Sequence, residues 1–538
     1  MRQRAPTVLL VAALAASGAL LFSYASSLTF VGDSWELLAG RPDWSASTFL
    51  DPFNEHAIML LALAFKVLLS AFGMESALPF HAVAIFLFLL CAVVMFMFMR
   101  RRVGDWFALG GAVLLLFMGA AYEDLLWEFQ MCFFGSVATG VGAFVALDRE
   151  DRFGDWLACA LLVFSTAFSS LGVPFILATI ARVWLEPARR ADRAFVPLIP
   201  LALYVLWWLT SGHSAGSELG PEDLPELPRY IFDAAGAGIA SLLGRQPIEN
   251  DGYPPTLVQI LTLILGACLI YWIGRRRQLS PGLIVVLVLT FSFWGLLALD
   301  RGPQRFSSRF QYPSGVFLLM ILAEVLRGQR LPRLVNVLLA AVAAAAAIGG
   351  ISLLDKAYFA RWKPTSDTIQ ATLAAVDIAG SDAQPRYVVS FPPSIELPVR
   401  AYREAREKHG TPAYSEAELL TAADTEKRRA DRVLAGAMGL SLLSPPASNQ
   451  SAGDCSELIP APEDQAIKRL PATASFQITN LTAAPIRVKV GRFSSEAPAQ
   501  LGELSPRATA LVRLPAGNSR RPWQVGVEGG GVRLCSHG

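Results

Sequence analysis

Charged residues are scarce in this chain, and their scarcity sets its broad class. Only 17% of its 538 residues are Asp, Glu, Lys or Arg, whereas 53% are hydrophobic. The apolar residues form repeated runs close to the ~20 residues that a helix needs to cross a bilayer. An ordinary water-soluble globular protein is excluded, and the sequence predicts an α-helical polytopic membrane protein.

Several familiar catalytic patterns are also absent from the sequence. It contains no internal repeat, Walker loop, Rossmann glycine run, cysteine-rich zinc pattern or serine nucleophile elbow. The stretch GVEGGGV, residues 526–532, belongs to a strand-rich region and predicts a turn rather than a nucleotide loop. Cytoplasmic nucleotide chemistry therefore has no visible site, and no nucleic-acid partner is expected.

The apolar runs predict about eleven membrane-spanning helices. The predicted spans are 7–29, 80–99, 104–121, 129–148, 155–170, 171–186, 195–211, 256–273, 280–299, 312–327 and 334–354. With a cytoplasmic N-terminus, the inner connections are basic, as the positive-inside rule requires. These connections are Arg100–Arg102, DREDR (148–152), EPARRADR (186–193), RRRQ (275–278) and RGQRLPR (327–333). We therefore expect a multi-pass protein of the cytoplasmic (inner) membrane.

The first apolar run has two interpretations. It is either a retained anchor or, over Met1–Ser27, a cleaved signal peptide with Arg2 and Arg4 as its basic start. Its apolar stretch is longer than a usual signal core, which favours the anchor. Both interpretations place residue 31 outside the cytoplasm.

A further apolar segment, 57–73, is not counted among the spans. If it crossed the bilayer, Arg100–Arg102 and most later basic loops would move outside, against the orientation bias. Lys66 in its middle would also cost about 2.5–3.5 kcal/mol at the bilayer centre, whereas at the interface it can reach water. We expect 57–73 to lie along the outer face, and the alternative is a short span.

The last third of the chain is polar and predicts a C-terminal extracytoplasmic α+β domain. Helical patterns at 398–410 and 415–443 define a helical segment, 355–443, and alternating strand patterns define a strand-rich module, 444–538. The strand patterns are at 475–481, 485–493, 509–514 and 523–535, and SPPASNQSAGD (444–454) is the expected linker. Residues 1–354 would form the transmembrane domain, with interfacial helices at 31–73.

Cysteine is rare, and its placement supports this division. Four of the six cysteines fall within predicted spans, whereas Cys455 and Cys535 are the two in the outer domain. A pair in an oxidising compartment predicts a disulfide that closes the strand-rich module, and the alternative is two free thiols.

Acidic residues gather in the loops that this topology places outside. The first outer loop carries Asp33, Glu36, Glu55 and His56, and the loop AYEDLLWEFQ (121–130) adds Glu123, Asp124 and Glu128. A carboxylate near a hydroxyl can act as a general base, and a Glu–His pair with a further acid can hold a divalent cation. For single acids such as Asp43 or Asp51, solvation of an exposed loop is the simpler interpretation.

Unlike the acidic outer loops, the outer loop DRGPQRFSSRFQYPSG (300–315) is rich in positive charge. Arg301, Arg305 and Arg309 lie outside although basic residues are biased inward, so an anion must compensate for them. Arg305 and Arg309 have helical i, i+4 spacing and could face one phosphate together. The alternative is a ring of arginines on anionic lipid headgroups.

These features resemble the GT-C superfamily of polytopic glycosyltransferases, in particular the aminoarabinose-to-lipid A and protein O-mannosyl transferases. Asp33 falls just after the first span, where those enzymes carry a catalytic acid. The stretch DPFNEHAIMLLALAFKVLLSAFG (51–73) is similar to the acidic segment that opens their interfacial helices, with Glu55 at the acidic position.

Two later stretches extend the resemblance over roughly residues 1–330. AYEDLLWEFQMCFFG (121–135) resembles the outer acid at the start of the fourth span of that superfamily, with Asp124 as the nearest equivalent. RFSSRFQYPSG (305–315) resembles the late Arg-Tyr-Pro element that faces the lipid phosphate.

The resemblance implies transfer of a sugar from a polyprenyl-phosphate carrier to a cell-envelope glycan, lipid or protein outside the cytoplasm. It implies Asp33 and Glu55 as catalytic residues, Glu55 and His56 as ligands of a divalent ion (Mg, Mn or Ca), and Glu36, Asp124, Arg305, Arg309 and Tyr312 as substrate-binding residues. Asp33 would deprotonate the acceptor hydroxyl, and the arginines would hold the departing phosphate. The rival interpretations are a transporter or lipid flippase and a non-enzymatic envelope scaffold.

Overall fold

The computed structural model describes most of the chain and divides it into two compact units. The described residues are 4–54, 56–214, 225–246, 256–276, 279–301, 306–329, 332–392, 395–444, 454–460 and 465–536. The helical unit comprises Met1–Leu28, Arg41–Ala71 and Ala77–Trp362. The C-terminal unit comprises Thr29–Gly40, Phe72–Ser76 and Lys363–Gly538.

The helical unit contains α1 to α16. In chain order they are α1 (Ala5–Ala25), α2 (Ala46–Leu50), α3 (Met59–Phe72), α4 (Leu78–Val103), α5 (Asp105–Leu116), α6 (Tyr122–Leu126), α7 (Met131–Leu147), α8 (Arg152–Phe168), α9 (Gly172–Leu185), α10 (Arg190–Arg193), α11 (Phe195–Thr210), α12 (Leu227–Leu242), α13 (Thr256–Arg276), α14 (Pro281–Arg301), α15 (Gln311–Val325) and α16 (Arg333–Ala357). Every predicted span overlaps one of these helices. Helix α7 is almost entirely buried and packs against α4 and α8.

Length and composition support a polytopic membrane protein. Among the described residues, 6 helices are long and apolar enough to cross a bilayer, or up to 7 if the bent pair Pro187–Arg193 and Phe195–Thr210 counts as one span. Other predicted spans correspond to shorter helices, such as Gly172–Leu185. The protein is therefore mostly helical with several membrane-capable helices, and the number eleven stays a prediction.

The two ends of α4 serve to name the two ends of the helical unit. Arg102 lies in the last turn of α4, where Gly104 ends the helix with a positive φ of 85°. At this Arg102 end, α4, α7, α9 and α15 finish and α14 begins. The opposite end contains α6 and is called the Asp124 end. Over the 26 residues of α4, the two ends are about 39 Å apart.

A buried ion-pair network holds the helices together at the Arg102 end. The Arg102 guanidinium bonds Glu324 and lies 3.0 Å from Asp148, which also accepts a 3.0 Å bond from Arg182. Arg102 and Glu324 are 8% and 2% exposed. Since buried charges are tolerated only when they are paired, these contacts fix the helix ends relative to one another.

The predicted span 104–121 is interrupted at the Asp124 end. Helix α5 stops at Leu116, a 3₁₀ turn covers Gly119–Ala121, and α6 follows. The cause is a close contact with α16: a Cβ on Gly119 would overlap the carbonyl oxygen of Gly350, and a Cβ on Gly350 would overlap that of Phe117. The two backbones are in direct contact here, so no side chain larger than that of glycine fits at either position.

The part of the predicted first outer loop that belongs to the helical unit begins at Arg41, and the side chains of Arg41 and Asp43 hold it in place. Arg41 donates to the carbonyl oxygens of Thr48, Asp51 and Pro52, and its own carbonyl oxygen accepts from the Lys66 ammonium. Lys66 is only 4% exposed, so it lies against protein and not in open water. Segment 57–73, expected to be interfacial, contains α3; its place in the membrane stays a prediction.

The C-terminal unit begins with α17 (Lys363–Ala379) and ends in sheets. Its elements are the hairpin β1 (Val388–Phe391) and β2 (Ile395–Pro398), the helices α18 (Val399–His409), α19 (Glu416–Thr421) and α20 (Asp424–Ala437), and the strands β3 (Cys455–Leu458), β4 (Ala466–Leu470), β5 (Ala474–Asn480), β6 (Ile486–Gly491), β7 (Ala499–Leu504), β8 (Thr509–Leu514), β9 (Trp523–Glu528) and β10 (Val532–Ser536). The eight strands β3–β10 form two antiparallel sheets, ordered β3-β10-β5-β8 and β4-β9-β6-β7. The predicted turn at GVEGGGV is confirmed between β9 and β10. Most of the predicted linker 444–454 lies outside the described residues.

The predicted disulfide is confirmed. Cys455 and Cys535 are bonded to each other and lie opposite one another in the β3–β10 pair. The bond therefore joins the first strand of the strand-rich module to its last. It closes a loop with a sequence separation of 80 residues.

Asp431 on α20 binds the turn that follows β6. Its carboxylate accepts bonds from the amides of Arg492, Phe493 and Ser494 at 2.8, 3.1 and 3.0 Å, and from the Ser494 hydroxyl at 2.6 Å. Asp431 is fully buried. Burial raises the pKa of this carboxyl, while the four donors act in the opposite direction.

Part of the predicted first outer loop also belongs to the C-terminal unit. Trp35 is 1% exposed, and its ring lies edge-on to Phe391 of β1 and Tyr402 of α18, at centroid distances of 5.8 and 6.2 Å. Farther along the chain, the Met74 amide donates to the carbonyl oxygen of His409 at 2.7 Å. These contacts build Thr29–Gly40 and Phe72–Ser76 into the fold of the C-terminal residues.

Candidate functional site

The Asp124 end contains a break between two long apolar helices. After α5 the chain runs through the 3₁₀ turn Gly119–Ala121, α6, and a second 3₁₀ turn, Glu128–Gln130, before α7 begins. Irregular backbone at the depth of a membrane is tolerated only where it is buried in protein or lines a cavity. This break carries the acids Glu123, Asp124 and Glu128.

A second break, before α15, meets the first. The Ser307 hydroxyl donates to Glu123 Oε2 at 2.8 Å, and the Arg309 amide donates to the same oxygen at 3.3 Å. In return, the Glu123 amide donates to the Ser308 hydroxyl at 3.1 Å, and that hydroxyl donates to the Ala120 carbonyl at 2.6 Å. These contacts join residues about 185 positions apart, so the two breaks form one built element.

Asp124 is the least compensated acid in this element. It is 1% exposed, and neither of its carboxylate oxygens accepts a side-chain hydrogen bond from the described part of the chain. The Tyr312 backbone amide and the Arg309 charge lie close enough to interact with it. Because an ionised carboxylate is costly to bury unless it is paired and hydrogen-bonded, Asp124 is a candidate for a functional position.

A buried histidine–glutamate pair lies at the same end. His81 Nε2 of α4 is 3.5 Å from Glu128 Oε2, and the two residues are 2% and 0% exposed. The sequence placed Glu128 in an outer loop, but the structure buries it among helices. Ionisable groups inside a membrane bundle are rare and mark substrate or ion pathways.

A cavity of about 240 Å³ opens beside α6. It is lined by Ala120, Tyr122, Gln246, Leu353, Lys356, Ala357, Ala360 and Arg361. Arg361 reaches the break directly, with Nη2 3.3 Å from Glu123 Oε1 and Nη1 3.3 Å from the Tyr122 hydroxyl. The Arg361 side chain is 54% exposed, so it can also contact a ligand. The cavity thus offers two cations, Lys356 and Arg361, next to anchored acids.

Of the residues predicted to bind substrate, the structure brings Arg309 and Asp124 together. Tyr312 is fully buried; its ring packs against Phe88 and Phe134 at centroid distances of 5.5 and 5.1 Å. It fills the core of the helical unit, and its assignment to the lipid phosphate stays a prediction. Arg305 lies outside the described residues. Phe306 and Ser307, between it and Arg309, are not helical, so the predicted helical i, i+4 arrangement of the two arginines is wrong.

Asp33 and Glu36 lie in the C-terminal unit. Asp33 is half-buried and Glu36 is exposed, and the Glu36 amide donates to the Asp33 carbonyl oxygen at 3.1 Å. The neighbouring Trp35 is buried, so the short segment that carries both acids is held in place by packing. Asp33 keeps access to solvent, as a base for an external hydroxyl must.

The predicted metal pair Glu55–His56 is only partly described. Phe53 and His56 exchange two backbone hydrogen bonds, at 3.1 and 2.9 Å, across a tight turn with Asn54 at φ 43°. Glu55 lies outside the described residues. Among those that are described, no three His, Cys, Asp or Glu side chains are grouped as a metal ion would require, so we derive no step through a metal.

Two solvent-facing acids of the first loop differ from each other. Asp51 is exposed. Asp43 accepts from the Ser45 amide and hydroxyl and from the Thr48 hydroxyl, and these bonds lower the pKa of its carboxyl to about 2. Asp43 therefore holds the start of α2 and is more than a solvated loop acid.

Lys356 and Arg361 were missed by the sequence reasoning. They follow the last predicted span, in LLDKAYFARWK (353–363), where the predicted topology places them outside the cytoplasm. Basic residues there oppose the positive-inside rule, as Arg301, Arg305 and Arg309 do. The same signal could have found them.

Comparison with known proteins adds no relative to this description. No protein-family model matches the chain, and no curated protein matches it either. The residues and contacts described above therefore carry the functional argument alone.

Proposed function

We propose that the protein is an integral membrane glycosyltransferase that transfers a sugar from a polyprenyl-phosphate carrier to an extracytoplasmic acceptor. In this proposal the Asp124 end faces the outside of the cytoplasmic membrane, and the carrier phosphate binds there. The acceptor is a glycan, lipid or protein of the cell envelope.

The observation that carries the proposal is the cavity beside α6, where Lys356 and Arg361 lie next to anchored acids. Cations at an outer membrane surface suit a phosphate, and the planar guanidinium of Arg361 suits it best because it can form two parallel bonds. Glu123 already has partners in Ser307 and the Arg309 amide, so it can share Arg361 with a ligand.

The chemistry requires a leaving phosphate and a base. As the bond between the anomeric carbon and the phosphate oxygen breaks, negative charge develops on the phosphate, and fixed cations stabilise it. Lys356 and Arg361 are assigned this role, with Arg305 and Arg309 as further candidates. Asp124, which accepts no side-chain hydrogen bond from the described residues, is assigned to accept a hydrogen bond from a sugar hydroxyl.

Asp33 is proposed to be the base that takes the proton of the acceptor hydroxyl. A general base contributes about 10²–10⁴-fold to turnover. Asp33→Asn nearly preserves the shape of the side chain at a partly solvated position, so the protein should fold and insert while losing most turnover. Asp51→Asn is the matched control, because Asp51 is an exposed acid of the same predicted outer loop.

The test is release of polyprenyl phosphate by the purified protein from a panel of polyprenyl-phosphate sugars, with envelope extract as acceptor. Polyprenyl phosphate is the common product whatever the sugar. We expect release by the wild type and by Asp51→Asn, and little release by Asp33→Asn. Full release by Asp33→Asn would exclude it as the base, and no release by the wild type from any carrier would refute the transferase.

Coupled transport is the second candidate, favoured by the buried His81–Glu128 pair. Transporters carry such ionisable groups within their helices. Uptake into vesicles that depends on a proton gradient, and that is lost in Glu128→Gln, would favour this candidate. A scaffold predicts instead that Asp33, Asp124 and Arg361 can all be replaced without loss of complementation.

A further inference from the structure

The Arg102 end contains a second polar cavity, separate from the candidate site. It has a volume of about 350 Å³ and is formed where α4, α7, α9 and α15 end and α14 begins. Its lining residues are Phe98, Arg101, Arg102, Phe144, Asp148, Glu150, Arg182, Glu186, Ser280, Pro281, Gly282, Val285, Val286, Glu324 and Arg327. This volume lies at the small end of the range for ligand pockets and suits a headgroup more than a whole lipid.

Part of the lining is already neutralised. Arg102, Arg182, Asp148 and Glu324 belong to the buried network, in which two cations face two anions. These four groups are at most 16% exposed at their side chains. They form the floor of the cavity, and the more exposed Arg101 and Arg327 lie 3.9 and 3.4 Å from its acids Asp148 and Glu324. Recognition of a ligand falls to these more exposed groups.

The exposed charges come in both signs. Arg101 and Arg327 are 41% and 58% exposed at their side chains. Glu186 pairs with Arg182 and Arg193 but keeps 34% of its side chain exposed, and Glu150 is exposed. Two cations and two anions at one opening favour a ligand that itself carries one charge of each sign. A purely anionic ligand would meet the two carboxylates, and a purely cationic one would meet the two arginines.

The remaining lining is apolar and belongs to the membrane-capable helices. Phe98 is in α4, and Val285 and Val286 are in α14. A ligand with a charged head and an apolar body could therefore place its head among the charged groups and continue along the helices into the bilayer. Charged pockets between membrane helices are known to bind lipid headgroups.

The cation of such a headgroup is more consistent with a primary ammonium than with choline. A quaternary ammonium has no donor and is bound by open aromatic faces. Here the Phe98 ring is covered by the Arg102 guanidinium, 3.6 Å from its centroid. A primary ammonium donates to carboxylates such as those of Glu150 and Glu186, and a phosphodiester accepts from arginine forks.

We propose that this cavity binds the headgroup of a phosphatidylethanolamine molecule, with the phosphodiester on Arg101 and Arg327 and the ammonium on Glu150 and Glu186. The inference does not rest on the proposed glycosyl transfer. Its site lies at the opposite end of α4 from Asp124, and its test uses neither sugar donor nor acceptor.

The test measures the lipids that stay bound to the full-length protein. The protein is equilibrated in vesicles of equal phosphatidylethanolamine and phosphatidylglycerol, extracted in mild detergent and analysed by native mass spectrometry. We expect the wild type to retain phosphatidylethanolamine with about tenfold enrichment, as one retained charge-assisted bond would produce. Both lipids carry the phosphodiester and only phosphatidylethanolamine carries the ammonium, so the double variant Glu150→Gln/Glu186→Gln should retain the two lipids in their bulk ratio, whereas Arg101→Gln/Arg327→Gln should retain less of both.

Asp105→Asn is the matched control. Asp105 is also an acid at the Arg102 end, 3.1 Å from Arg100, but it does not line the cavity, so its enrichment should equal that of the wild type. If the Glu150→Gln/Glu186→Gln variant does not elute as a monodisperse species, Glu150→Gln alone serves, because Glu150 is exposed and lies outside the buried ion-pair network. Bulk-ratio lipids on the wild type, a preference for phosphatidylglycerol, or unchanged enrichment in the folded variant would overturn the inference.

Discussion

Arg361→Gln is the sharpest test of the proposed phosphate site. The change removes the guanidinium that lines the cavity and keeps a polar side chain of similar length. A charge-assisted hydrogen bond contributes roughly 1.5–3 kcal/mol, which corresponds to a fall of about 10- to 160-fold in kcat/KM. We expect a loss within this range for release of polyprenyl phosphate from its sugar-loaded form.

The fold should tolerate this change. Arg361 pairs with Glu123 at 3.3 Å but is 54% exposed, and exposed pairs contribute about 0–1 kcal/mol to stability. Glu123 keeps the Ser307 hydroxyl and the Arg309 amide as donors. Thermal unfolding in detergent should therefore show a nearly unchanged midpoint, so that lost activity reports on the site.

Arg533→Gln provides the matched control for Arg361→Gln. Arg533 also forms an exposed ion pair, 2.9 Å from Glu457, and it lies on β10 in the other unit. The activity of Arg533→Gln should equal that of the wild type.

Lys356→Gln should lower kcat/KM as Arg361→Gln does, and the effect of the double change should be less than additive if both cations hold one phosphate. Wild-type kcat/KM in both single variants would refute the assignment of the phosphate to this cavity.

Three further predictions concern stability. Asp431→Ala leaves three buried amides without their acceptor, while the Ser494 hydroxyl can still donate to the Glu496 carbonyl. The free energy of unfolding should therefore fall by about 3–6 kcal/mol, measured by thermal or denaturant unfolding, and a loss below about 1 kcal/mol would contradict the described contacts. Cys455→Ser removes the disulfide to Cys535, which closes a loop with a sequence separation of 80 residues, and the chain-entropy model predicts that the free energy of unfolding falls by about 4.5 kcal/mol. Under non-reducing conditions, a protease should therefore cleave the variant faster than the wild type. Hydrogen bonds lower the pKa of the Asp43 carboxyl to about 2, whereas the pKa of an Asp in the unfolded chain is about 3.9. The carboxylate therefore contributes stability above pH ~3.9, and this contribution is lost as the pH falls through about 2. The unfolding midpoints of the wild type and Asp43→Asn should converge over that interval.

Much of the secondary structure could be predicted from the sequence because its periodicities are long. Strands β5 and β6 are seven and six residues long and alternate over most of their length, and this alternation was visible in the letters. The hairpin β1–β2 was missed because four-residue strands are too short to show a period. Strand β4 was missed for a similar reason, since AIKRL alternates only between half-buried and exposed positions.

The candidate site was less predictable, because distant segments build it. The acids of AYEDLLWEFQ were found in the sequence as a local cluster. Ser307, which bonds Glu123, lies 184 positions from it along the chain. Arg361, which bonds Tyr122, lies 239 positions from that residue. No local pattern records that α5 breaks at Leu116, because the cause is the main-chain contact with Gly350. The burial of Trp35 against Phe391 and Tyr402 is hidden for the same reason.

The glycine contact between α16 and the break after α5 limits how this protein could change its ligand. Since main chain meets main chain at Gly119 and Gly350, the spacing between the backbone of α16 and the break cannot be adjusted by exchanging side chains there. The width of the neighbouring cavity is consequently inherited from the fold. Selection for a bulkier or slimmer ligand would have to act on the wall itself, and Ala357 and Ala360 are the positions where one added methyl or methylene group would narrow the space.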